Sequence, residues 1–348
     1  MSLVDTLVEL VDIPSVTGDE EEICTALEFR LRAVRPTRRI GNSLVVGEPS
    51  GDRPLVVLYG HIDTVPAQDN LPARVVDGTV VGLGASDMKA GVAVMVHLLE
   101  HPEVADGPYD VVGVFYDKEE GPAADNGLEV VLELLGFLGD AELSIVLEPT
   151  DLRVEVGCNG VLNADVVFVG KAAHSARPWL GENAITKAGD WLAAMHRLEP
   201  EAVEIGGLVY RETYAVTRAE GGIANNVLPA RFVLNLNHRF PPIYDLEEAE
   251  ARLRRVAAAA DEVIVKDRAP AGGVPEANAA LDRLVELVGE PPVAKQGWTD
   301  VARLSARGIP AVNYGPGIVA QAHRATEYVP IANLERAHEV LVAFLTTS

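Results

Sequence analysis

Residues 55–63, Leu-Val-Val-Leu-Tyr-Gly-His-Ile-Asp, decide the fold: an unbroken apolar run ends in a histidine and an aspartate two positions apart. Such a run reads as a strand buried on both faces, the kind found in parallel sheets covered by helices. Residues 43–46, 111–116 and 143–147 carry the same Val/Ile/Leu/Tyr-rich signal for strands. Helical patterns fall between and around them, at 3–11, 20–34, 88–100 and 126–138. Thr17-Gly-Asp-Glu-Glu predicts the start of the second helix, and Asp87 stands at the N-cap position of the third. Strands alternating with helices predict an α/β sandwich with a mostly parallel central sheet.

The rhythm changes near residue 160. Strand signals at 161–169, 213–218, 231–239 and 262–266 interleave with helical ones at 182–197 and 246–259. That order, β-α-β-β-α-β, is the ferredoxin-like split unit. Helical patterns at 279–288 and 334–345, with an apolar run at 311–314, then resume the first rhythm, so the ferredoxin-like unit is inserted. The Pro/Gly-rich segment 270–275 is a natural hinge. The expected organisation is therefore a first domain in two parts, 1–158 and 271–348, around a second at 159–270. The length of 348 residues agrees, at roughly 150 residues per domain.

Composition narrows the function. The 29 Lys and Arg against 52 Asp and Glu leave a net charge of −23, which repels phosphate backbones and anionic bilayers. Nucleic acid and membrane are thus excluded as expected partners. No apolar run reaches the length of a membrane span, and the N-terminus lacks a basic head and an apolar signal core. Cys24 and Cys158 are too few for a disulfide framework, so a cytoplasmic setting is expected.

The chemistry gathers where strands end. The 55–59 run leads into His61 and Asp63, the 111–116 run into Glu119 and Glu120, and the 143–147 run into Glu148. Asp87 opens a helix, and His323 lies in a loop after a late strand. Ligands of open α/β sheets bind beyond the carboxyl ends of the strands. Imidazoles and carboxylates brought there from separate elements suit a hard-to-borderline divalent metal. In extended backbone His61 and Asp63 project to one side, so the aspartate can accept the second imidazole N–H. Adjacent Glu119 and Glu120 cannot easily enter one coordination sphere, which leaves one for the metal and one as a proton acceptor.

Six motifs occur in order: GHIDTVP at 60–66, SDMKAG at 86–91, EEG at 119–121, EPT at 148–150, AHSARP at 173–178 and AHR at 322–324. Together they resemble the M20 family of co-catalytic zinc hydrolases, in the aminoacylase/carboxypeptidase superfamily, across nearly the whole chain. EEGPAADNGL, GCNG, AHSARPWLGENAI, GWTDVARL and PAVNYGPG further resemble its actinobacterial succinyl-diaminopimelate desuccinylase branch. The resemblance implies a zinc-exopeptidase-like sheet and an inserted ferredoxin-like lid that also serves dimerisation. It implies two zinc ions per subunit, with Co²⁺ or Mn²⁺ as possible substitutes. His61, Asp87 and Glu148 would hold one ion, and Asp87, Glu120 and His323 the other. Glu119 would be the general base, Asp63 the support of His61, and His174 an oxyanion donor reaching a neighbouring subunit of a homodimer. Arg177, Asn225, Asn226, Arg239 and Thr299 would meet the substrate, an N-acyl amino acid carrying several carboxylates.

That branch implies hydrolysis of N-succinyl-LL-2,6-diaminopimelate. Acetylornithine and acetyl-lysine deacetylases share the metal motifs, and Cys158-Asn159 stands where some desuccinylases carry an arginine pair. The loop at 317–322 also departs from those relatives, so the acyl group stays open. A two-lobed binding protein without turnover is the non-enzymatic alternative. The remaining candidates read as structural: His97, His101, His196 and His338 on helical stretches, His238 in a strand, and Cys158 without an activating partner. Arg30, Arg32, Arg35, Arg38 and Arg39 read as a solvated edge.

Overall fold

The computed structural model describes residues 1–347 and divides the chain into two compact units. The first combines Met1–Gly157, Val274–Val293 and the chain from Arg303 onward; the second combines Cys158–Gly273 and Ala294–Ala302. Residues 294–302, expected with the last segment, are thus grouped with the second unit.

The first unit is built on an eight-stranded sheet in the order Thr37–Ile40, Ser43–Val46, Asp110–Tyr116, Leu55–His61, Ala141–Val146, Ala311–Asn313, Glu155–Val156 and Val293–Ala294. Its centre is parallel: Leu55–His61 pairs in parallel with both Asp110–Tyr116 and Ala141–Val146, which pairs in parallel with Ala311–Asn313. Every residue of Leu55–His61 and Asp110–Tyr116 is buried, as strands sandwiched between helices require. The helix Lys89–Glu100 packs so closely that a Cβ on Gly91 would lie 2.3 Å from the Leu147 carbonyl oxygen. A separate antiparallel sheet of Arg74–Val76, Thr79–Val81 and Tyr328–Pro330 brings a late segment beside an early one.

The second unit is a five-stranded antiparallel sheet ordered Glu201–Ile205, Leu208–Gly221, Arg231–Phe240, Gly160–Val169 and Glu262–Ala269. Leaving out the first strand gives the ferredoxin-like order. Period-two alternation puts Leu162, Ala164, Val166, Leu234 and Leu236 into a core with Trp191 and Leu253 from helices Gly189–His196 and Leu246–Val256. Asn163, Asn235, Asn237 and Arg239, at the alternate positions, are only partly buried.

Several local expectations are corrected. Asp87 is not a cap: the N-cap of Lys89–Glu100 is Met88, and no side chain caps that end. The second helix begins at Glu21, where the Thr17–Glu21 stretch ends, but it stops at Leu31 and no side chain caps its start; the Thr17 hydroxyl donates to Asp63. The 126–138 pattern is an α-helix, Gly127–Leu134, followed by a 3₁₀ turn, and 182–197 is two short helices. Glu201–Ile205, an unanticipated edge strand, pairs with a longer Leu208–Gly221. The arginine run is not a solvated edge throughout. Arg30 forks onto Glu100 at 2.7 and 2.8 Å, and Arg35 donates to the Leu99 carbonyl, whereas Arg32 and Arg38 are exposed.

Candidate metal centre

His61 closes the buried strand Leu55–His61, so its ring is held on all sides. Its Nδ1 lies 3.0 Å from the Asp63 carbonyl oxygen and 3.5 Å from Asp63 Oδ1. Because the carbonyl only accepts, Nδ1 carries the proton and the Nε2 lone pair is turned towards the carboxylates. Asp63 therefore supports His61 through both its backbone carbonyl and its carboxylate. Its carboxylate does other work: Oδ1 accepts the Glu119 N–H and Oδ2 the Glu120 N–H, both at 3.0 Å, and Oδ2 accepts the Thr17 hydroxyl at 2.9 Å. One buried aspartate thus fixes the turn that presents both glutamates.

His61 Nε2 lies 3.3 Å from Asp87 Oδ1 and 3.9 Å from Glu148 Oε1. His323 Nε2 lies 3.4 Å from Asp87 Oδ2 and 2.9 Å from Glu120 Oε1. The two oxygens of Asp87 therefore face two different imidazoles. Tetrahedral bonds of about 2.0–2.2 Å place neighbouring ligand atoms about 3.3–3.6 Å apart; the two Asp87–imidazole distances match, the Glu148 oxygen stands wider and the Glu120 oxygen closer, and the chemistry of two imidazoles with three carboxylates suits divalent ions of zinc's preference. Among the described residues, donor atoms of His61, Asp87 and Glu120 form a group within 4.8 Å of one another.

The electrostatics agree with a site built for positive charge. Hydrogen bonds that His323 donates to the Asp87 and Glu120 carboxylates raise it from 6.5 to about 10. Burial acts to lower His61, but Asp63, Asp87 and Glu148 outweigh it and raise it well above its ordinary value. Asp87 is held far below the usual carboxylate range, because His323 and His61 overcome its burial.

Glu327 gave no sequence signal, being one more acid in a polar loop. It is buried, and its carboxylate accepts N–H bonds from Gly84, Ser86 and Asp87. Only the fold reveals it.

The other candidates belong to the second unit. The His174 and Asn226 segments are joined, with the Ser175 N–H donating to the Asn226 carbonyl and a bridge between His174 and Val227. His174, Arg177, Asn225 and Asn226 are all exposed. Arg239 donates to Asn237 Oδ1, whereas Thr299 is buried beside Cys158. His238 is fully buried against Glu212 at 2.8 Å and stacks on Tyr214, a structural role.

The model of "Peptidase family M20/M25/M40" matches residues 57–347. The chain is 39% identical over 340 residues to a putative succinyl-diaminopimelate desuccinylase of Mycobacterium tuberculosis, covering 97% of this chain and 96% of that one. It is 36% identical over 351 residues to a succinyl-diaminopimelate desuccinylase of Corynebacterium glutamicum, covering 97% and 94%. Among solved structures, a tripeptidase of Staphylococcus aureus superposes with a TM-score of 0.81 at 22% identity, covering 99% of this chain and 97% of that one.

Proposed function

Because the chain belongs to peptidase family M20/M25/M40, we propose that it is a dizinc amidohydrolase cleaving N-succinyl-LL-2,6-diaminopimelate to succinate and LL-2,6-diaminopimelate. The observation that carries the reading is Asp87, with one carboxylate oxygen towards His61 and the other towards His323. A carboxylate shared between two ions needs that geometry. The choice of substrate rests on the 39% and 36% full-length identity to proteins named desuccinylases.

His61, Asp87 and Glu148 would hold one ion, and Asp87, Glu120 and His323 the other. When bound, a pair of divalent ions polarises the scissile carbonyl and lowers the pKa of water. Glu119, whose backbone is tied to Asp63, takes the proton from the attacking water and delivers it to the leaving amine. His174, contributed by the second copy of a homodimer, donates to the developing oxyanion. Arg177, Asn225, Asn226, Arg239 and Thr299 orient the substrate's carboxylates, a task that suits the partly buried Arg239 guanidinium, whose Nε donates to Asn237. Exposed Trp179, Leu180 and Ile223, in the segments that carry His174 and Asn226, support a dimer formed through the second unit. A cytoplasmic setting accords with two buried, unpaired cysteines. Among the described residues, no helix is long and apolar enough to cross a membrane.

The test is hydrolysis of succinyl-diaminopimelate, acetylornithine and acetyl-lysine side by side, with zinc supplied. The highest kcat/KM on the succinyl compound is expected. A preference for either acetyl compound makes the chain a deacetylase, and ligand binding with no turnover makes it a binding protein.

A further inference from the structure

The segment that carries Asp87 runs from the strand Thr79–Val81 to the helix Lys89–Glu100 and belongs to neither. Backbone of that kind needs partners to hold one conformation. Besides the Asn70 carbonyl, which accepts the Leu83 N–H, partners come from the segment that carries His323. Glu327 Oε2 accepts the Gly84 N–H at 2.9 Å, while Oε1 accepts those of Ser86 at 2.8 Å and Asp87 at 2.9 Å. The Gly82 N–H donates to the Glu327 carbonyl at 3.0 Å. Ser86 Oγ donates to the Tyr328 carbonyl at 2.7 Å and accepts the Ile318 N–H at 3.0 Å. Glu327 itself is 1% exposed. Each of the two segments so laced supplies one candidate ligand, and those ligands, Asp87 Oδ2 and His323 Nε2, lie 3.4 Å apart.

We propose that Glu327 is a positioning residue for the metal centre: its carboxylate fixes the Asp87 backbone against the His323 segment, setting the shared carboxylate before any ion arrives. This rests on the metal-centre reading above. The chemistry requires a full carboxylate. Three N–H donors converge on its two oxygens, and a carboxamide would turn its own N–H₂ towards at least one of them. Outer partners of metal ligands typically change affinity by roughly 10–100-fold when removed.

The experiment uses the full chain stripped with a chelator. Wild type, Glu327→Gln and Glu327→Asp are titrated with zinc against a chromophoric competitor. The visible spectrum of each cobalt-loaded protein and the melting temperature of each metal-free one are recorded alongside. Two zinc equivalents are expected for wild type, with affinity roughly 10–100-fold weaker and an altered cobalt spectrum in Glu327→Gln. Glu327→Asp, which keeps the charge but retracts it, should fall between; it carries the test should Glu327→Gln fail to fold. Wild-type affinities and cobalt spectrum in the variants, with only the melting temperature lowered, would show a merely structural residue and overturn the proposal. A wild-type chain that takes up no zinc overturns the underlying reading, and this proposal with it.

Discussion

At the scale of single residues the site separates positions by task. Glu119 and Glu120 are neighbours whose amides hang from the two oxygens of Asp63, and Glu120 meets His323 at 2.9 Å. Glu119→Gln is therefore expected to keep its metal content while kcat falls about 10²-fold or more, the range for a lost general base. Near-normal turnover, measured with metal analysis on the same sample, would remove Glu119 from the mechanism. The histidines add a pH dependence. His323 rises to about 10 without metal, so its stabilising protonation is complete below its ordinary 6.5 and is lost as pH rises through 10. A metal ligand must be neutral, so zinc competes with that proton and affinity should rise between pH 6 and 8. Calorimetry in buffers of different ionisation enthalpy at pH 7 should detect net proton release on zinc binding; none would contradict the ligand assignment.

At the scale of elements, the buried strands Leu55–His61 and Asp110–Tyr116 were legible because both-face burial writes a continuous apolar run. Helix ends were less legible. Asp87 has the chemistry of a cap, and only the third dimension shows it turned to His61 and His323. Glu201–Ile205 carries a weak strand signal, because it is a short edge strand with only Val203 and Ile205 half-buried in alternation. Two predictions belong here. Gly91→Ala forces a Cβ against the Leu147 carbonyl and should destabilise by about 1–3 kcal/mol, the usual cost of overpacking. Unchanged urea unfolding would mean that the helix moves away freely. Glu212 is buried, but hydrogen bonds from His238, Arg252 and Tyr214 outweigh that burial and lower it to about 2. Its stabilisation is present above 4.5 and lost as pH falls towards 2, so Glu212→Gln should flatten the fall in stability between pH 5 and 3. An unchanged pH slope would contradict this.

At the scale of the whole molecule, the first unit gathers its candidate ligands from residues 61 to 323, whose order along the chain says nothing of their convergence. What made that convergence readable was the placement of each acid or histidine beyond a strand end, with the ordered motifs that resemble one family. What no motif conveyed is the lacing through Glu327, which looks like an ordinary loop acid, and the second task of Asp63, whose motif points to His61 and not to the Glu119 and Glu120 amides. The second unit's part is tested by mixing. His174→Ala subunits combined with Glu119→Gln subunits should regain activity if the histidine serves the neighbouring subunit; no recovery in confirmed mixed dimers would assign it elsewhere. The most direct measurement counts zinc in the purified chain and in His323→Ala by atomic absorption after equilibrium dialysis. Two ions per wild-type chain and fewer in the variant are expected. A wild-type chain that retains none, or a variant with the full complement, would contradict the account.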